Sequence, residues 1–387
     1  MPSTPPPLSL YIHIPWCVKK CPYCDFNSHA VRDGIPQDAY VDALLADLEH
    51  DLADFGAAAR RPLASVFFGG GTPSLFTPAA IGRILDGVAA RLAFEPAAEI
   101  TLETNPGTVE HGRFDGYRAA GVNRISFGVQ SFDDAMLAAL GRIHSADEAV
   151  RAFAAARAAG FDNINLDLMY ALPRQDLGGA LGDLDRAIAL APEHVSHYQL
   201  TLEPNTLFAA KPPPLPDSDS AWDMQEHGQA LLAACGYVQY EVSAYARGDR
   251  RSVHNLNYWT FGDYLGIGAG AHGKLSDAAT GTIHRRSKQR TPRAWLEHAA
   301  GPRRIAGSAA VTAIDLPFEF MMNALRLVEG VPLALFTQRT GLAAESVAAP
   351  LAEARRRGWL ADAGDRLCPS ADGQRFLNDL IALFLPA

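Results

Sequence analysis

The stretch Tyr11-Ile12-His13-Ile14-Pro15-Trp16-Cys17-Val18-Lys19-Lys20-Cys21-Pro22-Tyr23-Cys24 places three cysteines in one short loop directly after an apolar run. Three thiolates can hold three corners of a four-iron, four-sulfur cube, which leaves the fourth iron free to bind another group. Cys21 and Cys24 alone also match a thiol-disulfide redox pair, and three cysteines with a nearby histidine match a structural zinc site. The spacing favours the cluster, because a redox pair does not require Cys17 and no second ligand pair stands at zinc-knuckle spacing.

Length and composition describe an ordinary globular chain. It has 387 residues, of which 48% are hydrophobic, and a net charge of −9. At about 150 residues per domain, this length predicts two or three domains. The acidic balance gives no support to nucleic acid or an anionic membrane as the main partner.

Several features predict a cytoplasmic location. No apolar stretch approaches the ~20 residues of a membrane span. The Pro-rich start, Met1 to Pro7, lacks the basic and apolar parts of a signal peptide. Five cysteines, three of them clustered, fit a reducing compartment in which thiolates bind metal.

Short β-branched runs alternate with Ala/Leu-rich helical stretches along the first half of the chain. Such repeated strand–helix units predict parallel strands with right-handed crossovers. Six units, rather than eight, predict an α/β fold with an incomplete, TIM-like (β/α)6 barrel whose site lies at the carboxyl ends of the strands. The predicted strands are Leu8–Ile14, Ser65–Phe68, Glu99–Glu103, Arg124–Gly128, Asn163–Met169 and His194–Thr201, separated by helices such as Ala39–Phe55, Pro78–Leu92, Ala146–Ala159 and Leu177–Leu190.

The remaining pattern divides the chain into four parts. We predict a flexible N-terminus (1–7), the partial barrel (8–245), a connecting segment (246–305) and a smaller C-terminal domain (306–387). The barrel part would include a stiff stretch at Lys211–Pro216, a helix at Ala221–Ala234 and a strand at Tyr237–Tyr245.

The C-terminal domain reads as mostly helical, with a small hairpin and a last helix at Gln374–Phe384. This order is typical of winged-helix-like domains, some of which bind DNA. Arg355-Arg356-Arg357 is a basic cluster, although an Arg run at a helix end is more commonly a solvated terminus favoured by the helix dipole.

Polar or flexible residues follow the predicted strands. Gly69-Gly70-Gly71-Thr72-Pro73 would let backbone groups approach a ligand closely. Glu103 ends an apolar strand and suits hydrogen bonds from a ribose diol, although taken alone it is more simply a cap or a salt-bridge partner. Asp167 lies inside another apolar strand, where an unpaired carboxylate is costly to bury, so a partner is expected.

The Cys-x-x-x-Cys-x-x-Cys pattern after a strand resembles the radical S-adenosylmethionine (SAM) superfamily. The resemblance implies that Cys17, Cys21 and Cys24 ligate a [4Fe-4S] cluster and that the methionine part of SAM chelates its open iron. In that superfamily an electron from the reduced cluster cleaves SAM to a 5′-deoxyadenosyl radical. Gly70, Gly71 and Thr72 would belong to the motif that pairs with the SAM amino group.

The order of the later motifs resembles the coproporphyrinogen oxidase-like branch of that superfamily, over nearly the whole chain. The segments are Ser126–Phe132, Leu140–His144 and Asn165–Pro173. The resemblance implies SAM contacts for Glu103, Gln130, Arg142 and Asp167, and places Tyr11 beside the cluster and SAM. It assigns no catalytic residue.

Two features choose among members of that branch. Phe26 stands where the oxygen-independent oxidases have a further cysteine. His254-Asn255-Leu256-Asn257-Tyr258-Trp259 matches the His-Asn-x-x-Tyr-Trp motif of the heme-chaperone members. An imidazole can ligate heme iron, and Tyr258 and Trp259 offer flat stacking surfaces. A lone His near aromatics is more often a packed residue, but the full motif in such a chain favours a heme contact.

We therefore expect a heme chaperone with a radical SAM fold that passes heme to apo-heme proteins and draws on a reductant for its cluster. The enzyme alternative is oxygen-independent decarboxylation of coproporphyrinogen III. A DNA-binding regulator is disfavoured by the acidic charge. Cys235 and Cys368 should be dispensable for the cluster, and a homodimer and membrane contact through recipients are left open.

Overall fold

The computed structural model describes residues 5–32, 34–107 and 113–386. Residues 1–4 of the predicted flexible N-terminus lie outside these ranges. The described part of that segment is attached to the body of the protein: the Pro7 carbonyl accepts a hydrogen bond from the Asp263 amide at 3.0 Å. The Pro6 carbonyl accepts another from the Arg61 guanidinium.

The strand–helix alternation of the first half is observed as predicted, and all six predicted parallel strands form. In order, the elements are β1 (Leu8–Ile14), β2 (Trp16–Cys17), β3 (His29–Ala30), α1 (Gln37–Phe55), β4 (Leu63–Gly70), α2 (Pro78–Ala89), β5 (Phe94–Thr104), α3 (Phe114–Ala119), β6 (Arg124–Gln130), α4 (Asp134–Ala139), α5 (Ala146–Ala158), β7 (Ile164–Tyr170), α6 (Leu177–Ala189) and β8 (His194–Gln199).

Local chemistry explains where the helices begin. The Thr77 side chain accepts a hydrogen bond from the Ala80 amide, and Pro78 occupies the first helical position of α2. Ser145 and Glu148 form a reciprocal capping box at the start of α5. Strands β1 and β4 are buried almost throughout, as expected for parallel strands covered on both faces.

The middle of the chain extends the same sheet. Its elements are α7 (Leu207–Ala210), α8 (Ser218–Ala234), β9 (Val238–Glu241), β10 (Ala244–Ala246), α9 (Val253–Trp259), β11 (Asp263–Ile267), β12 (His272–Asp277), β13 (Thr282–Lys288), α10 (Pro292–His298) and β14 (Ile305–Ala310).

The sheet has 12 strands in the order β14-β13-β12-β11-β1-β4-β5-β6-β7-β8-β10-β9. β11 pairs parallel with β1, so it adds a seventh parallel strand to the predicted six. The predicted strand Tyr237–Tyr245 is a hairpin, β9 and β10, which pairs antiparallel with β8. Within the described strands the sheet ends at β14 and β9 and does not close, which confirms an incomplete barrel.

Strands β11 to β14 make the predicted connecting segment a part of this sheet. Buried ion pairs attach it to α1: Lys288 Nζ lies 2.7 Å from Asp51, and Arg304 Nε lies 2.9 Å from Asp47. Each buried charge has a partner, which offsets the cost of its desolvation. The periodicity of the sequence carried no signal for these long-range pairings.

The last part of the chain is mostly helical, as predicted, but its strand pair is not the predicted hairpin: Val331 pairs with Leu367, and the hairpin is reduced to an isolated bridge between Leu360 and Pro369. Its elements are α11 (Leu316–Ala324), β15 (Val331–Pro332), α12 (Leu333–Thr340), α13 (Ala348–Arg356), β16 (Arg366–Leu367), α14 (Ala371–Arg375) and α15 (Leu377–Ala382). The predicted last helix is thus divided at Phe376. These elements enclose a second hydrophobic core, separate from the core of the barrel. In the described ranges, no helix combines the length and hydropathy needed to cross a bilayer.

Two of the three arginines at the end of α13 are engaged within the chain. Arg356 and Arg357 both reach Glu353, at 2.7 and 2.6 Å. The Arg357 guanidinium also lies over the Trp359 ring, 4.8 Å from its centroid. This arrangement agrees with a solvated helix terminus and does not favour a DNA-binding surface.

Candidate functional site

The cysteine loop, residues 17–28, follows the carboxyl end of β1 and is held in a fixed path. β2 and β3 pair across its ends, with Trp16 opposite His29 and Cys17 opposite Ala30. Lys20 Nζ donates to the Phe26 and Ser28 carbonyls at 3.0 and 3.2 Å. These bonds close the loop upon itself and present its three cysteines toward the interior of the barrel.

Cys17, Cys21 and Cys24 are free thiols, each half-buried, and all three line one cavity. Burial raises the pKa of the Cys17 and Cys24 thiols. Among the described residues, no three His, Cys, Asp or Glu side chains converge as ligands of a single metal ion. Three thiols that line one cavity are the ligand set that a [4Fe-4S] cluster with one open iron takes.

The glycine-rich turn after β4 lies directly against this loop. Gly71 N donates to Ile14 O at 2.8 Å, and Thr72 N donates to Trp16 O at 2.7 Å. Gly70 has φ +114°, and a Cβ built there would lie 2.5 Å from the His13 ring. Only glycine fits this close approach, so the motif brings its backbone beside the cysteines.

Two carboxylates face the cavity from β5 and β7, the strands on either side of β6. Burial, and then the nearby Asp167, raises the pKa of Glu103 to about 8. The pKa of Asp167 is also raised by burial, while Asn165 and Ser126 donate to its oxygens at 2.8 and 3.1 Å. Asp167 therefore has the polar partners that its burial requires, and Glu103 accepts the Gly70 amide at 3.3 Å.

Gln130 and Arg142 complete the wall between the carboxylates and the cysteines. Gln130 sits at a bulge of β6 opposite β7 and has φ +73°, which re-aims its side chain. Arg142 donates to the Gly128 carbonyl at 2.6 Å, to Asn105 Oδ1 and to Cys21 Sγ at 3.8 Å. One guanidinium thus contacts both the strand-end groups and a cluster cysteine.

The cavity has a volume of about 610 Å³, within the range of pockets that hold cofactor-sized molecules. Every residue that the sequence assigned to SAM lines it, together with the three cysteines: Tyr11, Gly70, Gly71, Thr72, Glu103, Gln130, Arg142 and Asp167. The thiols, carboxylates and backbone groups fit a [4Fe-4S] cluster and SAM. Cys17, Cys21 and Cys24 would hold the cluster, which would supply SAM with an electron.

The opposite end of the cavity, its floor, is formed by α9. The amides of Val253 and His254 donate to the Glu99 carboxylate at 3.0 and 3.1 Å, and Ser252 Oγ donates to it at 3.3 Å. Glu99 in turn lies 3.8 Å from Arg124. Ser9 and Ser65 lie near the starts of β1 and β4, and their bonds to Asn257 and His254 place α9 at the amino ends of these strands.

His254 is one of the best-packed residues of the floor, with 1% of its surface exposed. Its Nδ1 bonds Ser65 Oγ at 2.8 Å and its Nε2 bonds the Tyr258 hydroxyl at 3.0 Å. Its ring stacks on Phe67 with centroids 4.9 Å apart, and burial lowers its pKa to about 3. Both ring nitrogens are engaged, so the arrangement does not fit axial ligation of heme.

The structure brings His254 and Tyr258 to the SAM cavity but does not bring Trp259 there. Trp259 packs against the second hydrophobic core, and the Arg326 guanidinium lies 4.4 Å from its ring centroid. The three residues that the sequence assigned to heme therefore face two different surroundings. A heme contact for them stays a prediction.

Sequence reasoning missed the residues that hold the assigned side chains. Asn105 donates to Thr72 Oγ1 at 2.7 Å and accepts from Arg142. Asn165 bonds Asp167 from two positions earlier on the same face of β7. That alternation of polar residues was visible in the sequence, whereas the Asn105 contacts join the segments after β4 and β5 to the segment between α4 and α5.

Comparisons with known families match two parts of the chain. Residues 11–184 match the radical SAM superfamily, and residues 311–376 match the HemN C-terminal domain. A solved structure, coproporphyrinogen III oxidase (HemN) from Escherichia coli, a radical SAM enzyme, superposes with a TM-score of 0.81. It is 25% identical and covers 98% of this chain and 90% of its own.

Curated relatives match the chain from end to end. The heme chaperone HemW of Escherichia coli is 52% identical over 380 residues, 98% of each chain. The heme chaperone HemW of Mycobacterium tuberculosis is 35% identical over 97% of this chain and 94% of its own. Radical S-adenosyl methionine domain-containing protein 1, mitochondrial, of Mus musculus is 41% identical over 75% of this chain and 66% of its own.

Proposed function

Because the chain belongs to the HemW family within the radical SAM superfamily, we propose that it is a heme chaperone that binds heme and transfers it to apo-heme proteins. The observation that carries this proposal is the end-to-end similarity to proteins named heme chaperone HemW, at 52% identity over 98% of both chains. Phe26 supports it, because a cysteine of the oxidase pattern is missing there.

In this proposal Cys17, Cys21 and Cys24 hold the [4Fe-4S] cluster, and the cavity holds SAM. The glycine-rich turn offers backbone groups to the methionine part of SAM. Glu103 and Asp167 line the same cavity and would accept hydrogen bonds from hydroxyls of the nucleoside part. A cellular reductant maintains the cluster, and the protein works in the cytoplasm.

The enzyme alternative has one specific observation in its favour. The residues expected to contact SAM all line the cavity, and the fold matches HemN with a TM-score of 0.81. The same residues are expected in a chaperone that keeps the SAM site, so this likeness does not distinguish the two functions.

One experiment distinguishes them. Anaerobically reconstituted protein is titrated with heme, followed by its Soret band, and then mixed with an apo-heme protein in excess. The same preparation is incubated with coproporphyrinogen III, SAM and dithionite. A chaperone forms a defined Soret complex, loses it to the acceptor and makes no protoporphyrinogen. SAM-dependent decarboxylation without heme binding would establish the oxidase instead.

A further inference from the structure

Exposed apolar side chains concentrate at the mouth of the cavity, the end opposite the floor. The described residues include twelve exposed large hydrophobic side chains, and six of them stand on the cysteine loop, between α4 and α5, or on β8 and the segment after it. We name these six the rim: Val18, Phe26, Ile143, Tyr198, Leu202 and Leu207. Two of them, Phe26 and Tyr198, also line the cavity, and exposed apolar side chains beside a cavity are typical of a binding site.

The segments that carry the rim are in direct contact with one another. The Phe208 amide donates to the Pro22 carbonyl at 3.0 Å, which joins the segment after β8 to the cysteine loop. A Cβ built on Gly141 would lie 2.9 Å from Pro22, so the segment that carries Ile143 also touches that loop. The rim side chains therefore stand on segments that adjoin one another.

Phe26 is the most exposed member, with 61% of its surface accessible, and it lines the cavity. Its backbone is fixed, because its carbonyl accepts Lys20 Nζ and also the Ser28 amide at 2.7 Å. An ordered loop thus holds an aromatic ring in solvent directly beside the cluster cysteines. This position costs free energy in the free protein and favours an apolar ligand.

We propose that the rim is the surface on which heme docks, with Phe26 against the porphyrin face; this inference rests on the proposed heme-chaperone function. A flat, apolar macrocycle matches aromatic and branched side chains around an opening. Its two propionates need cations. Lys19 is exposed beside Val18 and lines the cavity, and with Lys20 it outweighs the one acidic residue of the loop, Asp25.

The floor offers heme no comparable surface. His254 is buried and bonded through both nitrogens, and Trp259 faces the second core. Docking at the rim requires none of the floor contacts to break.

The test compares heme affinity in matched variants of the full chain, each reconstituted anaerobically. Phe26→Ser and the double variant Phe26→Ser/Ile143→Ser remove rim surface. Phe376→Ser removes an equally apolar side chain that is 45% exposed on the C-terminal domain. Phe26→Leu is the conservative variant. Iron, sulfide and SAM binding are measured in each, so that loss of the cluster is recognised separately.

We expect Phe26→Ser to weaken heme binding about tenfold or more, and the double variant to weaken it further, because the affinity depends on buried apolar area. Phe26→Leu should retain most of the wild-type affinity. Phe376→Ser should bind heme like the wild type. If both serine variants keep wild-type affinity, or if only His254→Gln loses heme, the rim is not the docking surface. If the wild-type protein binds no heme at all, the proposed function itself fails.

Discussion

The two ends of the cavity differ in whether their side chains are free to contact a ligand. At the mouth, the cysteine loop leaves thiols half-buried and Phe26 exposed, so that groups able to bind ligands stay available. At the floor, His254 has its ring nitrogens hydrogen-bonded and its ring stacked. A polar or aromatic residue of a family motif is available to a ligand only if its hydrogen-bonding groups or ring face are free. Where other residues already contact these groups, the residue supports the fold instead.

The strongest way to separate the two ends is to remove one cluster ligand. Cys17→Ala, Cys21→Ala or Cys24→Ala should each abolish assembly of a [4Fe-4S] cluster, because three thiolates are the fewest that hold it. Cys235→Ala and Cys368→Ala are matched controls on α8's C-terminal end and in the C-terminal domain. Iron and sulfide analysis after reconstitution should give about four of each per chain in both controls. Iron loss in either control would contradict the assignment.

A substitution at the floor should lower the free energy of unfolding without changing the iron content. Glu99→Ala removes the carboxylate that accepts the α9 amides and leaves Arg124 buried without its ion pair. Breaking such a buried pair costs about 3–5 kcal/mol. Urea unfolding should report this loss, while Glu95→Ala, an exposed carboxylate on the same strand, should change stability little. An equal effect of both substitutions would mean that α9 does not depend on Glu99.

The next prediction concerns Glu103 and Asp167, the two carboxylates that line the cavity. Glu103→Ala and Asp167→Ala should weaken SAM affinity about 10- to 100-fold, because a ligand hydroxyl left buried without its partner costs about 1–3 kcal/mol. Cluster content should stay at the wild-type level. Equilibrium binding followed through the spectrum of the reduced cluster measures both quantities at once. Unchanged SAM affinity in both variants would remove these carboxylates from the SAM site.

Much of this arrangement follows from local sequence, and the rest does not. The barrel strands, the glycine turn and the cysteine loop each lie within a short segment, so periodicity and spacing predict them. The floor depends on Glu99 meeting α9, more than 150 residues later in the chain, and on Ser65 meeting His254. No local pattern encodes such contacts, so the sequence could not show that His254 is buried with both ring nitrogens hydrogen-bonded.

The pH dependence of the free energy of unfolding gives a smaller test of Glu103. Glu103 has a pKa of about 8 in the folded protein, against 4.5 ordinarily, because of burial and then Asp167. Between these values the folded state keeps a proton that the unfolded state releases, so wild-type stability should fall as pH rises from about 4.5 to about 8. Glu103→Gln removes this term. The stability of this variant relative to the wild type should therefore increase across that window and stay constant above it, as measured by urea unfolding at several pH values. A difference in unfolding free energy between the variant and the wild type that does not change with pH would mean that Glu103 has an ordinary pKa.

The smallest expected effect comes from the hydroxyl that occupies His254 Nε2. Tyr258→Phe removes this bond, 3.0 Å long, and keeps the ring that packs edge-on against His254. A single neutral hydrogen bond contributes about 0.5–1.5 kcal/mol, so the variant should be slightly less stable. Because it frees Nε2 without opening a large space, it also tests whether a freed nitrogen can serve heme. If the floor is a support, the Soret band and heme affinity should stay as in the wild type. A new Soret maximum or tighter heme binding in Tyr258→Phe would show instead that the floor holds a latent heme ligand, and the contrast between the two ends would be lost.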